Sequence, residues 1–192
     1  GKTFMMSQVP GVLYLCAEQG AEQYPVPRIN VSTLDEVMRA LDEVHKEDHE
    51  HQVLVVDTQN RLIDIIAEDV CRRAGKAAIS DFDYGKGNGQ VLAIAGQVLA
   101  KLDRIRKDRG MPIVMLSQVE VKKYAPPDLA EYDRFQPSYM AKAWAQDVAW
   151  ADVVAFATLK TATKAENGPF GGTRRRAIGT GERVLKTDLN PA

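Results

Sequence analysis

Three short apolar runs are each closed by a polar residue: Val12 to Cys16 before Ala17-Glu18, Val53 to Val56 before Asp57-Thr58, and Ile113 to Leu116 before Ser117-Gln118. Runs of this length, unbroken by charge and rich in β-branched residues, suit strands of a parallel sheet covered on both faces. Asp152 to Ala157 predicts another strand, and Pro25 to Ile29 a short extended piece at an edge, because proline cannot donate to a ladder. Helical spacing fills the intervals. Thr33-Leu34-Asp35-Glu36 is a capping box, after which Leu34, Val37, Met38, Leu41 and Val44 continue to about His45. Leu62, Ile63, Ile66, Val70 and Arg73 mark a helix stopped by Gly75, and Val91, Ile94, Ala95, Val98, Leu102 and Ile105 a long one ended by Gly110 and Pro112. Phe4 to Gln8 predicts a short helix, and Ser138 to Trp150 one with Met140, Trp144 and Val148 on its apolar face. Strands alternating with helices give an α/β domain with a mostly parallel sheet.

Four segments lack such periodicity. Ala77 to Gly89 reads as a loop with three glycines, two aromatics and Lys86. Its glycines serve either as turns or as a place where a ligand or polymer backbone comes close. Val119 to Pro137 reads as a long connection and Thr158 to Gly172 as polar and irregular. Arg174 to Ile178 and Glu182 to Lys186, around Gly179-Thr180-Gly181, read as a hairpin.

At 192 residues, with 45% hydrophobic and 27% charged residues, the chain fits one domain with a sizeable core. A net charge of -1 excludes a uniformly basic nucleic-acid binder, so any such role rests on local features. Cys16 and Cys71 lie in apolar segments, which favours buried thiols in a reducing cytosol over a disulfide framework. No apolar stretch has membrane-spanning length.

Open α/β sheets place ligands at the carboxyl ends of their strands, which singles out Glu18, Asp57 and Gln118. Glu18 suits the polarisation of a water; it also suits an ordinary solvated loop. Gly1-Lys2-Thr3 are the last three residues of the phosphate-binding pattern G-x-x-x-x-G-K-[ST], in which backbone amides wrap phosphates, lysine meets the outer ones and the hydroxyl holds magnesium. His45, His49 and His51 lie among acids, where a solvated helix end competes with metal binding. Lys122, Lys123, Tyr124, Tyr132, Arg134 and Phe135 interleave cations with aromatics, as single-stranded nucleic acid requires, although Glu120, Asp128, Glu131 and Asp133 outnumber the cations. The Arg174-Arg175-Arg176 cluster suits a phosphate across a subunit boundary, DNA, or the charged protection of a sheet edge.

Taken in order, Gly-Lys-Thr, the Glu18 and Asp57 strands, the Ser117-Gln118 strand end, the long connection and the hairpin resemble the RecA-like core ATPases. Ile79 to Gly87, Lys122-Lys123-Tyr124 and Tyr132-Asp133-Arg134 look like the phage-encoded members of the single-strand annealing and recombination kind. The resemblance implies a three-layer αβα core with a C-terminal antiparallel hairpin, formed by residues 1–192 as a single domain. Relatives of that kind carry a strand and the first part of the glycine-rich loop before the position of Gly1, so truncation is expected there and at Asn190-Pro191-Ala192.

Roles follow from the resemblance, position by position. Gly1, Lys2 and Thr3 match the ATP phosphate site, Thr3 and Asp57 the magnesium site, Glu18 the glutamate that activates water, and Gln118 the residue that senses the γ-phosphate. Lys86, Lys122, Lys123, Tyr124 and Arg134 are candidate DNA contacts. Arg174, Arg175, Arg176 or Lys186 would complete a neighbour's site in a homo-oligomeric ring or filament. The implied activity is ATP hydrolysis dependent on single-stranded DNA, in the host cytoplasm. Two alternatives stay open: a DNA-binding or annealing module with a vestigial or regulatory nucleotide site, and a helicase-loading ATPase.

Overall fold

The computed structural model describes residues 1–18, 22–128, 130–167 and 173–187, in two compact units, residues 1–150 and 151–192. The first unit contains α1 (Lys2–Met6), β1 (Val12–Cys16), β2 (Arg28–Asn30), α2 (Leu34–Lys46), β3 (Val53–Asp57), α3 (Gln59–Ala74), α4 (Lys86–Arg109), β4 (Ile113–Leu116), β5 (Val119–Tyr124), β6 (Tyr132–Pro137) and α5 (Ala141–Trp150). Four strands form a parallel sheet in the order β2-β1-β3-β4. Its register sets Cys16 beside Asp57 and Asp57 beside Leu116, so the carboxyl ends of the three inner strands are level.

Side chains alternate across the sheet, and both faces are covered. Leu13, Leu15, Leu54 and Val56 join Val37, Leu41, Ile63, Ile66, Val98, Leu102 and Ile105 of α2, α3 and α4 in the larger core. Val12, Tyr14, Cys16, Val55 and Leu116 form a smaller core with Met6 of α1 on the other face. The apolar runs are continuous because both faces need filling, with each fully buried side chain contributing about 1.5–3 kcal/mol.

Caps fix the helices where the sequence places them. Thr33 Oγ1 accepts from the Glu36 amide at 3.3 Å while Glu36 Oε2 accepts from the Thr33 amide at 3.2 Å, the reciprocal pair of a capping box. Gly75 and Gly110 end α3 and α4 with φ of 62° each, a left-handed conformation that suits glycine.

Several elements differ from the sequence expectation. The segment before α4 is not a loop through Gly89: it forms two 3-10 turns, Ile79–Asp81 and Asp83–Gly85, and the helix starts at Lys86. A Cβ on Gly87 would lie 2.8 Å from Phe82 Cδ2, so this glycine permits close packing rather than a turn. Val119 to Pro137 is an antiparallel hairpin, β5 with β6, rather than an irregular connection. The alternation Val119-Glu120-Val121-Lys122 carries a strand signal that its exposed charges conceal. Helix α5 starts at Ala141 and buries Ala143 and Asp147, leaving Trp144 and Val148 half-buried.

The second unit contains β7 (Phe156–Asn167) and β8 (Thr173–Lys186), an antiparallel pair. Its first strand begins at Phe156 and runs through the stretch expected to be irregular, and Arg174 to Lys186 is one strand rather than a hairpin in itself. A bulge accounts for the glycines: between Leu159 and Thr161 the partner shifts from Arg183 to Gly179, and Gly181 takes φ 77°. The expected terminus at Asn190 to Ala192 and residues 168–172 lie outside the described residues. The chain is thus α/β, with a parallel four-stranded sheet and a C-terminal antiparallel pair. Among the described residues no helix is long and apolar enough to cross a membrane.

Candidate functional site

Strands β1 and β3 are neighbours, yet β1 leads to β2 on one side and β3 leads to β4 on the other. Connections that diverge in this way leave a crevice at the carboxyl ends, the usual ligand position in open α/β sheets. Glu18 follows β1, Asp57 ends β3 and Gln118 follows β4 at that edge.

Asp57 is 3% exposed. Its carboxyl is held above the usual carboxylate range mainly by burial and further by the Glu18 charge, while a hydrogen bond from the Thr3 hydroxyl and the Lys2 charge act the other way. Thr3 is fixed from below: Tyr14 Oη donates to its carbonyl oxygen at 2.8 Å. Tyr14 is fully buried, and burial together with Asp57 pushes its phenol up to about 12. The Cys16 thiol beside Asp57 is likewise pushed up to about 11, chiefly by burial, which leaves it a buried free thiol. The start of α1 is therefore tied to both β1 and β3.

Glu18 receives two donors. Thr58 Oγ1 donates to Oε2 at 3.3 Å and Gln118 Nε2 to Oε1 at 3.2 Å. Thr58 also caps α3, accepting from the Arg61 amide at 3.4 Å, and the Asp57–Thr58 peptide is cis. Beside it, Asn60 Oδ1 accepts from the Gln118 amide at 2.7 Å and from Ser117 Oγ at 3.1 Å. Asn60 Nδ2 donates to Ser138 Oγ at 2.8 Å and to the Gln118 carbonyl at 3.3 Å. Gln59 Nε2 donates to both carboxylate oxygens of Asp147, at 3.2 and 3.0 Å, and Tyr139 Oη donates to Asp147 Oδ2 at 2.5 Å. Burial raises both acids of that cluster, Asp147 against the hydrogen bonds from Tyr139 and Gln59, and Tyr139 with help from the Asp147 charge.

The structure thus brings Lys2, Thr3, Glu18, Asp57 and Gln118 to one edge and adds Thr58 and Asn60, which the sequence reading passed over. The signal for both was their place: a hydroxyl and a carboxamide in the first turn of the helix that follows the acid. A cavity of about 200 Å³ lined by Leu41, Asp42, His45, Lys46, Lys101 and Arg104 contains none of this set.

The candidate DNA contacts separate. The β5–β6 register pairs Lys122 with Arg134 and Tyr124 with Tyr132 on one face, and Val121 with Phe135 and Lys123 with Asp133 on the other. Arg134 stacks on Tyr124, its Cζ 3.7 Å from the ring centroid, and the Tyr124 and Tyr132 rings meet edge-on at 5.6 Å. Lys122 pairs with Glu120 at 2.8 Å and Lys123 with Glu131 at 3.6 Å. Lys86 opens α4, a different element. In the second unit the register sets Arg176 opposite Lys164, Arg175 opposite Ala165, Arg174 opposite Glu166 and Lys186 opposite Phe156; the side chains of Arg174, Arg175 and Arg176 lie outside the described set.

The histidines have local partners: His45 Nε2 lies 2.8 Å from Asp108 Oδ2 and His49 Nε2 2.9 Å from the Val44 carbonyl oxygen. Among the described residues no group of three or more His, Cys, Asp or Glu side chains is placed to hold a metal.

A family model described as an AAA domain matches residues 1–192. No curated protein and no solved structure matches the chain.

Proposed function

The chain belongs to the AAA domain family, and we propose that it is an ATP-binding, DNA-dependent ATPase that acts on single-stranded DNA. The observation that carries this reading is the convergence at one sheet edge: Thr3 on buried Asp57, and Gln118 on Glu18.

The residues fit a nucleotide with its magnesium. Thr3 and Asp57 offer hard oxygen donors side by side, and Asp57 is a buried carboxylate whose charge burial opposes, a cost that a cation relieves. Magnesium, when bound, supplies charge neutralisation at the outer phosphates. Lys2 would pair with those phosphates. Glu18 would orient and deprotonate the attacking water: its two hydrogen-bond donors fix the position of the carboxylate. Gln118 sits between Glu18 and the β5–β6 hairpin, so a group that engages its amide also acts on the hairpin's first residue.

DNA binding is assigned to the hairpin face with Lys122, Arg134, Tyr124 and Tyr132, where cations adjoin rings on which bases can stack. A role in phage recombination rests on the resemblance of Ile79 to Gly87 and of the hairpin residues. Self-association, with Arg174, Arg175, Arg176 or Lys186 reaching a neighbour's phosphates, is part of the same reading. The test is ATP hydrolysis with and without single-stranded DNA by the parent chain and by Lys2→Ala and Asp57→Ala. Loss of stimulated turnover in both variants is expected; unchanged turnover in both would sink the assignment. DNA binding indifferent to ATP would favour an annealing module instead.

A further inference from the structure

Asp57 is followed by three residues whose side chains reach three different places. Thr58 bonds Glu18 after β1, Gln59 bonds Asp147 on α5, and Asn60 bonds the residues on either side of the β5–β6 hairpin. The Asn60 carboxamide has two donor hydrogens and an oxygen with two lone pairs. All are used: the oxygen by the Gln118 amide and Ser117 Oγ, the nitrogen by Ser138 Oγ and the Gln118 carbonyl. Gln118 immediately precedes β5 and Ser138 immediately follows β6, and the Ser138 amide itself donates to the Gln118 carbonyl at 3.1 Å. One side chain, rooted in the first turn of the helix behind Asp57, therefore holds both feet of the hairpin. It also fixes the Gln118 backbone through both its N–H and its C=O, which leaves the Gln118 side chain aimed at Glu18 Oε1.

We propose that Asn60 is a positioning residue that couples the occupancy of the nucleotide site to the ordering of the β5–β6 hairpin. This rests on the reading of the sheet edge as the ATP site. The physical basis is that a displacement of Gln118 towards a ligand cannot be local. Its main chain shares Asn60 with Ser138, so both feet of the hairpin respond together. The chain's own groups for phosphate and magnesium, Lys2, Thr3 and Asp57, make no contact with Asn60 among the bonds described, so its removal separates coupling from binding.

The test uses the whole chain, a non-hydrolysable ATP analogue with magnesium, and amide hydrogen exchange across residues 119–137. In the parent chain the analogue should slow exchange in the hairpin by about tenfold, the equivalent of ~1.4 kcal/mol of local opening energy. In Asn60→Ala the analogue should still bind within roughly threefold of the parent affinity, with the nucleotide-dependent slowing lost. A purely structural staple gives another result: faster exchange by the same factor with and without analogue, the difference between the two states intact. That result overturns the proposal alone, as does a parent chain that binds the analogue with no change in the hairpin. Failure of the parent chain to bind the analogue overturns the proposed ATP site, and this inference with it. If Asn60→Ala does not fold, Ser138→Ala removes one of the four bonds from an exposed position and should lose part of the slowing; undiminished slowing there counts against the coupling.

Discussion

Gln118 Nε2 donates to Glu18 Oε1 at 3.2 Å, between residues 100 positions apart in the chain. With Thr58 on the other oxygen, the carboxylate is held in place from two sides. Replacing Glu18 by Gln keeps the shape and removes the proposed base. Hydrolysis by Glu18→Gln should fall by about 10²–10⁴-fold while ATP binding stays within a few-fold of the parent. Single-turnover hydrolysis beside equilibrium nucleotide binding checks this, and a variant that hydrolyses at the parent rate removes Glu18 from the chemistry.

Asp57 gives a prediction with a sign. Its folded-state pKa is raised, mainly by burial, so the folded chain keeps this proton to higher pH than the unfolded chain does. Stability from this group therefore falls as pH rises from the ordinary aspartate value, about 3.9, through the raised one, and the loss persists above it. Asp57→Asn still accepts from the Thr3 hydroxyl and removes that loss. It should melt higher than the parent near pH 7, by ~2–4 °C for each kcal/mol relieved, and converge with the parent near pH 4. Thermal melts across that range decide it; a constant gap between the two proteins contradicts the burial argument. The same substitution should abolish hydrolysis, separating stability from function at one position.

Gly87 and Phe82 should behave as a coupled pair. A methyl group on Gly87 would sit 2.8 Å from Phe82 Cδ2 and 2.9 Å from Cγ, inside van der Waals contact. Gly87→Ala gains helix propensity, worth about 1 kcal/mol, yet overpacking costs about 1–3 kcal/mol, so a net loss is expected. Adding Phe82→Ala removes the clash. In urea titrations the Gly87→Ala step should therefore become favourable in the Phe82→Ala background, and equal effects in both backgrounds would mean that the ring moves aside freely.

The two faces of the β5–β6 hairpin should differ in their use. Lys122→Ala with Arg134→Ala should weaken single-stranded DNA binding and reduce its log–log salt slope by about 1.4, two phosphate contacts at ~0.7 each. Lys123→Ala, on the opposite face beside Asp133, should change neither by much. Fluorescence titrations at several salt concentrations resolve the two, and an equal effect from Lys123 would place the contact elsewhere.

The central strands and α2 to α4 were legible because burial on both faces leaves apolar runs, and because Thr33, Gly75 and Gly110 mark ends by local chemistry. The β5–β6 pair was not, and of the β7–β8 pair the antiparallel pairing was legible but not the strand bounds. Both satisfy their backbone bonds across a hairpin while exposing much of their side-chain surface, so Val121, Phe135 and Leu159 stand in solvent and no buried apolar run marks where the strands begin and end. The edge residues Glu18, Asp57 and Gln118 could be read because a strand end has a fixed position. Asn60 could not: a carboxamide in a first helical turn looks like any cap until its four partners, brought from beyond Leu116, are seen around it.

The sequence Asp57-Thr58-Gln59-Asn60 places four contacts on four adjacent positions, the first at the end of β3, the second at the extended cap of α3, and the last two aimed by their angle around its first turn. Successive residues on a helix are turned by ~100°. Inserting or deleting one residue between Asp57 and Leu62 would swing every later contact out of line at once, and with it the buried face carrying Leu62, Ile63 and Ile66. The segment is thus tolerant of conservative exchange at single positions and intolerant of any change in length, whereas the connection between β5 and β6, which among the described residues pair with each other alone, can lengthen without shifting the register of the parallel sheet.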